Sequence, residues 1–328
     1  MKKILAFIIL SVAMVSCYED YILDHTFTGV YFPYQMDVRT IVVGEGMKIQ
    51  VGAALGGVRE NKVDREVIFE FDNSLITPAL LAKMKAAPQN YIKNAAAAVT
   101  LLEPLPGSHY TISNATTMVI KAGQHMGSVT IKADSIAFCT DSAKTKISTY
   151  VLPFKITDAD ADSIIEPKKT NMVGLIFEHK FFGNYWHGGA AVVNRPGNPR
   201  GDTTIVYKTT IPTAEAKIWP LTTQGPSTLL SKGYLSNVST KNEMILTVKG
   251  DKINITSAPG STYTYLPDGE SKFNGAKLLQ NRKLILKYMY TDPVSTFTYH
   301  CTDTLTFRNR VRDGINEWQD ENPSNYSK

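Results

Sequence analysis

The chain has 328 residues, 43% of them hydrophobic and 20% charged, which supplies enough apolar material for packed cores and excludes a disordered polymer. Its formal net charge is +5, and no window gathers the clustered Lys and Arg that neutralising a phosphate backbone needs, so a nucleic-acid surface is excluded as well. The charge is uneven: residues 17–169 hold 15 Lys+Arg against 17 Asp+Glu, and residues 170–328 hold 18 against 13.

At the N-terminus, Lys2 and Lys3 precede an apolar stretch over residues 4–15 and the small-residue step Ser16-Cys17, the pattern of a secretory signal over residues 1–16. The stretch is too short to span a bilayer. Cys17 after Met14-Val15-Ser16 resembles a lipobox, which makes Cys17 the acylated first residue of the mature chain and residues 17–28 a lipid-anchored tether. Cys139 and Cys301 then remain, and two buried free thiols are expected rather than a bridge.

Residues 29–157 read as an immunoglobulin-like β-sandwich, with strands expected at 30–32, 47–53, 67–71, 110–112, 117–120, 127–133 and 149–156. One helix is expected over residues 78–85, with Thr77 as N-cap, Pro78 at the first helical position and Pro88 beyond its end. The run from Tyr91 through the alanines 95–98 fits no template. Residues 158–172, where Asp, Ala and Pro replace the strand pattern, read as a linker. Asp158, Asp160 and Asp162 open like a calcium loop, but Ser163 stands where the turn needs Gly and Lys169 where it needs Glu, which excludes an EF-hand.

Residues 173–319 read as a second antiparallel β domain, a barrel or a sandwich, so the fold class is all-β. Strands are expected at 173–177, 185–193, 204–210, 243–248, 253–257, 283–290 and 297–308, with Gly250-Asp251 as a two-residue hairpin turn. Leu284, Leu286, Tyr288 and Tyr290 share one face of their strand. Arg308, Arg310 and Arg312 share a face and suit a set of carboxylates better than a bound anion; Trp318 is expected to cover a barrel end. Residues 320–328 form a polar tail.

Three segments carry a family resemblance. Residues 101–112 (LLEPLPGSHYTI), 120–123 (IKAG) and 150–156 (YVLPFKI) resemble the N-terminal domain of a Bacteroidetes lipoprotein family encoded beside polysaccharide-utilisation systems, and residues 302–318 resemble the C-terminal signature of the same family. The acidic pair Glu19-Asp20 resembles the export tag of surface lipoproteins in that phylum. The resemblance implies a non-catalytic accessory for glycan capture, anchored in the outer membrane and facing outward. Its implied partners are a polysaccharide or oligosaccharide and other surface proteins of the same system. A related N-terminal domain also occurs attached to glycoside hydrolases.

The residues themselves support binding better than catalysis. None of the six histidines forms an HExxH pair, no GxSxG elbow is present, and no metal or other cofactor is implied. Sugar rings present C–H faces that pack on aromatic side chains while polar groups meet the hydroxyls. Candidate platforms are therefore Tyr185, Trp186 and His187 in their Gly-rich setting, Trp219 beside Pro220 near a loop, and Tyr263 with Tyr265 before a turn. A structural or adhesive assembly protein pairing through sheet edges is the alternative from another class, and a glycoside hydrolase the third.

Overall fold

The computed structural model describes residues 27–207, 217–232 and 242–320. The expected signal, Cys17, most of the tether and residues 321–328 of the tail lie outside the described residues. Two compact units emerge: one contains the chain up to Ile41 with Gly46–Ile176, the other Val42–Glu45 with the chain from Phe177 onward.

The first unit opens with β1 (Gly29–Tyr31), β2 (Met36–Val43), β3 (Lys48–Gly56) and β4 (Arg65–Phe71), then two helices, α1 (Pro78–Lys85) and α2 (Asn90–Ala96). Short strands β5 (Glu103–Pro104), β6 (Tyr110–Ile112) and β7 (Thr117–Ile120) lead to β8 (Met126–Ala133) and the single turns α3 (Ala137–Thr140) and α4 (Ser142–Thr145). The unit closes with β9 (Tyr150–Ala159), β10 (Ser163–Ile164) and β11 (Thr170–His179). One sheet has the order β10-β1-β3-β8-β6 and the other β2-β11-β9-β4-β7, with β5 parallel on β9. Period-2 alternation buries Ile49, Val51 and Ala53 on β3 and Val129, Ile131 and Ala133 on β8. Phe32 meets Phe154 at 6.1 Å and Phe71 meets Tyr110 at 6.4 Å, ring contacts that join the sheets into the expected sandwich.

Helix α1 starts where the sequence placed it, with Thr77 Oγ1 accepting from the Leu80 amide at 3.2 Å. Two elements departed from expectation. Strand β2 has polar Asp37, Arg39 and Thr40 inside its run, which hides the strand; Asp37 is nevertheless buried, accepting from Tyr91 Oη at 2.7 Å. The expected linker, 158–172, is instead part of this unit. Its first residues extend β9, Ser163 and Ile164 pair parallel with β1, and the passage to the second unit falls at Phe177. The three aspartates diverge onto separate backbone partners: Asp162 accepts from the amide and hydroxyl of Thr28 at 2.7 Å, Asp160 from the Glu66 amide at 2.9 Å, and Asp158 from the Ala159 amide at 2.9 Å.

The second unit contains β12 (Gly183–Asn194), β13 (Thr203–Tyr207), β14 (Lys217–Gly225), β15 (Thr228–Lys232), β16 (Glu243–Lys249) and β17 (Lys252–Ser257). It continues with β18 (Leu266–Pro267), β19 (Ser271–Phe273), β20 (Lys283–Thr291), β21 (Thr298–Arg312) and β22 (Ile315–Glu317). Neighbours pair antiparallel in the order β12-β14-β15-β16-β17-β19-β20-β21, and β21 returns to pair with β12 from Asn184↔Asn309 to Asn194↔Thr298. That last pairing closes a barrel, deciding between the two architectures the sequence left open. The Gly250-Asp251 turn joins β16 to β17 as expected, with Lys249 opposite Lys252 and Gly250 at φ +63°.

Pro220 lies within β14 rather than in a loop. It stands opposite Asn184 of β12, while pairing with β15 begins only at Leu221, so its missing N–H costs no ladder bond on that side. Trp318 is exposed rather than covering a barrel end, and Cys139 and Cys301 are both buried and free. No described helix is long and apolar enough to cross a membrane.

Candidate functional site at one end of the barrel

Strand alternation separates the residues expected to form a glycan platform. Tyr185 and His187 point into the barrel and Trp186 points out, as neighbours on a pleated strand must. Tyr185 is fully buried, donating from Oη to the Phe181 carbonyl at 3.0 Å, and burial pushes its phenol pKa up. Trp219 is buried with its ring 4.1 Å from that of His187, and Tyr265 is buried with Oη donating to the Asn242 carbonyl at 3.1 Å. These four are core residues and offer no face to a ligand. Trp186 is half-buried beneath the Arg308 guanidinium at 5.0 Å. Of the six, only Tyr263 and Trp186 retain accessible ring surface, and they lie on different parts of the barrel.

Arg308, Arg310 and Arg312 divide between partners as well. The register shifts between Asn184 and Tyr185, so two residues of β21 face one gap and the strand re-aims its side chains. Arg308 stays with Trp186, whereas Arg310 and Arg312 both bind Glu317, and Arg310 also clasps Glu45 through Nη1 at 3.1 Å and Nη2 at 2.8 Å. Burial opposes the charge on Glu45, but Arg310 and then Arg282 hold its carboxyl below the usual range.

The barrel interior holds a carboxylate where apolar packing is the rule. Asp303 is fully buried; its Oδ2 accepts from Tyr288 Oη at 2.6 Å and lies 3.2 Å from His187 Nε2, and its Oδ1 accepts from Tyr207 Oη. Gly189 makes this possible. It stands opposite Tyr207 on β13 and opposite Asp303 on β21, and a Cβ there would lie 2.1 Å from the Thr302 carbonyl oxygen. With no side chain at 189, the Tyr207 ring crosses the strand and reaches the carboxylate. Burial, then the Asp303 charge, raises the pKa of both phenols, so they stay protonated donors. Burial likewise pushes the Cys301 thiol up, leaving it an unreactive neighbour. With Asp303, Tyr288 and His187 buried and Tyr207 partly so, this cluster can hold the barrel's shape.

Where β20 turns into β21 the barrel end is different. The Tyr290 and Tyr299 rings stack at 4.8 Å with planes 4° apart, and Tyr263 packs on Tyr290 at 4.7 Å. Tyr299 and Tyr263 are half-buried and pack against the barrel core. Beside them opens a cleft of about 270 Å³ lined by Thr262, Thr264 and Thr291 with Leu266, Met289 and Pro293. His300 Nδ1 lies 2.8 Å from Asp268 Oδ2, and Asn194 Nδ2 lies 3.3 Å from His300 Nε2. On β20 and β21 the cleft residues Met289 and Thr291 and the neighbouring His300 take the outer face, and the Tyr290–Tyr299 pair the inner one. The sequence singled out Tyr263 here but not Tyr299, whose pairing with Tyr290 depends on the β20–β21 register. Among the described residues, no group of three or more His, Cys, Asp or Glu side chains could hold a metal ion.

A family model of an N-terminal domain matches residues 23–163, and a search of curated proteins found no match. The chain is similar to a Bacteroides ovatus protein of unknown function, at 19% identity and TM-score 0.62, covering 90% of this chain and 97% of that one. That likeness shows the two-unit, all-β fold. A Bacteroides ovatus multidomain protein including a DUF1735 domain matches at 12% identity and TM-score 0.41, covering 89% of this chain and 100% of that one. A candidate carbohydrate-binding protein from Bacteroides ovatus ATCC 8483 matches at 13% identity and TM-score 0.30, covering 90% and 72%. The last two are too loose to carry an argument here. The N-terminal-domain match spans residues 101–112, 120–123 and 150–156, three of the segments that carry the resemblance.

Proposed function

We propose that the protein is a non-catalytic surface lipoprotein, acylated at Cys17 and held in the outer membrane facing outward, that binds a polysaccharide or oligosaccharide as an accessory of a polysaccharide-utilisation system. The observation that carries the binding reading is the barrel end where the partly exposed Tyr263 and Tyr299 pack on buried Tyr290, which itself lines a cleft edged by threonine hydroxyls. Tyrosine faces match the C–H faces of a sugar ring, and hydroxyl and amide groups match its substituents.

Calorimetry of the mature protein against a panel of neutral plant, host and bacterial glycans tests the reading. Binding to at least one glycan, weakened tenfold or more by Tyr299→Ala with the fold intact, is the expected result; a panel without any binding refutes it. For the anchor, incorporation of labelled palmitate that disappears in Cys17→Ala is expected, with protease accessibility on intact cells reporting outward display.

A second reading has its own observation. Strand β13 carries exposed Ile205 and Val206, and among the described residues it pairs only with β12. An apolar strand edge of that kind can accept a strand from another chain, which would make the protein an assembly component. Purification as a stable complex that Val206→Lys disrupts would favour this reading.

A further inference from the structure

Away from the tyrosine end, the second unit has a larger groove, about 360 Å³, with a different chemistry. Its lining includes Lys180, Lys277, Arg282, Glu45, Asp251 and Phe273. Glu45 is already committed, since Arg282 Nη1 lies 2.7 Å from its Oε1 and Arg310 Nη2 lies 2.8 Å from its Oε2. Lys180 and Asp251 face the groove beside them.

Two of these groups lack what burial normally demands. The Lys180 ammonium sits 4.8 Å above the Phe181 ring and 5.3 Å above the Phe273 ring, and no carboxylate of the described residues pairs with it. Burial and then the neighbouring Arg282 charge lower its pKa, with Asp251 and Glu45 partly opposing them. Arg282 is 5% exposed, and its Nε, buried, has no hydrogen-bond partner among the described residues, although Nη1 donates to the Lys180 carbonyl at 2.8 Å. A guanidinium N–H left unsatisfied inside a protein costs free energy.

We infer that this groove binds the acidic group of a sugar, a carboxylate or a sulfate, with Lys180 and the Arg282 guanidinium supplying the charge. The inference rests on the glycan-binding reading and deepens it, adding a second subsite specific for acidic saccharides. The volume decides the size of the ligand, since about 300 Å³ is the lower bound of small-ligand sites and suits one or two sugar rings rather than an extended chain.

Calorimetry with digalacturonic acid, with a 6-sulfated galactose disaccharide and with the neutral galactose disaccharide separates the cases. The expected result is binding of at least one acidic disaccharide at least tenfold tighter than the neutral one, weakened tenfold or more by Lys180→Met and by raising salt from 0.05 to about 0.5 M. The methionine keeps an apolar stem over Phe181 and Phe273, and Trp219 fluorescence checks that the barrel has folded. The exposed Lys277→Ala is a second probe, with a smaller loss expected. Equal affinity for acidic and neutral sugars overturns the inference, as does acidic-sugar binding unchanged in Lys180→Met. Binding of either acidic sugar lost in Tyr299→Ala and kept in Lys180→Met also overturns it, yet leaves the glycan-binding reading standing. The reverse pattern leaves the groove standing and removes the tyrosine end.

Discussion

The two units both close β-sheet around a core but differ at its centre, although the sandwich too buries a carboxylate, Asp37, against Tyr91. The sandwich fills its interior with rings and aliphatics: Phe154 lies 5.3 Å from Phe69 and 4.8 Å from Phe71, tilted or edge-on, and Phe154 and Phe69 are buried. The barrel places a carboxylate at its centre and satisfies it with two phenols and an imidazole contact. Dispersion and burial are forgiving of shape, because many small contacts share the energy. A buried charge is unforgiving, since each lost partner leaves the full desolvation penalty behind. Tolerance to substitution should therefore differ between the units more than their burial does.

The largest effect tests that contrast directly. Asp303→Ala strands two phenol O–H groups and loosens His187, and the barrel should lose about 3–5 kcal/mol. Urea unfolding followed by tryptophan fluorescence reads this cleanly, because Trp186, Trp219 and Trp318 all belong to the second unit. A loss below about 1 kcal/mol would mean that the carboxylate cluster contributes little and that the two cores are alike.

Next comes acid. His179 is buried, and its Nδ1 accepts from the Phe181 amide at 3.1 Å, an arrangement that only the unprotonated nitrogen can make. Burial, then the Lys180 and Arg282 charges, lowers its pKa from 6.5 to about 4. The unfolded chain therefore takes up the proton first. This contribution to stability is whole above pH 6.5 and drains as pH falls toward about 4, by about 3 kcal/mol in all. His179→Gln should flatten that part of the stability–pH curve; an unchanged slope would assign the acid sensitivity elsewhere.

What the sequence revealed follows the same division. Strands whose faces differ, such as β20 with Leu284, Leu286, Tyr288 and Tyr290 all inward, were legible from alternation alone. So was α1, whose cap and proline are local signals. Strand β2 was hidden because Asp37 is buried by a partner, Tyr91, that lies 54 residues away. The candidate site was harder still. Whether Tyr185 or Tyr299 meets solvent depends on which strands flank it and on barrel closure through β12 and β21, and no short window of residues carries that information. Gly189 shows the limit clearly: its use lies in Tyr207 and Asp303, on two other strands.

Within the sandwich, Phe154→Leu is the counterpart to the Asp303 test. The replacement stays apolar, and neighbouring rings can relax toward the smaller side chain, so the expected cost is about 1.5 kcal/mol. Hydrogen exchange by mass spectrometry, read on peptides from β4 and β9, resolves this loss within the first unit. A cost matching that of Asp303→Ala would erase the proposed difference in tolerance between the cores.

The smallest effect asks whether the sandwich is uniform. Helix α1 packs Leu80 and Met84 into an apolar cluster with Val38, Ile92, Val99 and Met172, to one side of the phenylalanine core. Thr77→Ala removes the side-chain acceptor from the Leu80 amide and should cost about 1 kcal/mol. If the cluster is energetically separate, exchange should quicken in α1 and α2 and stay unchanged in β3 and β8, which carry the inward Val51 and Val129. Exchange that quickens across all of these elements would instead make the helices and sheets one cooperative body, and the contrast with the barrel would then hold between whole units rather than between their centres.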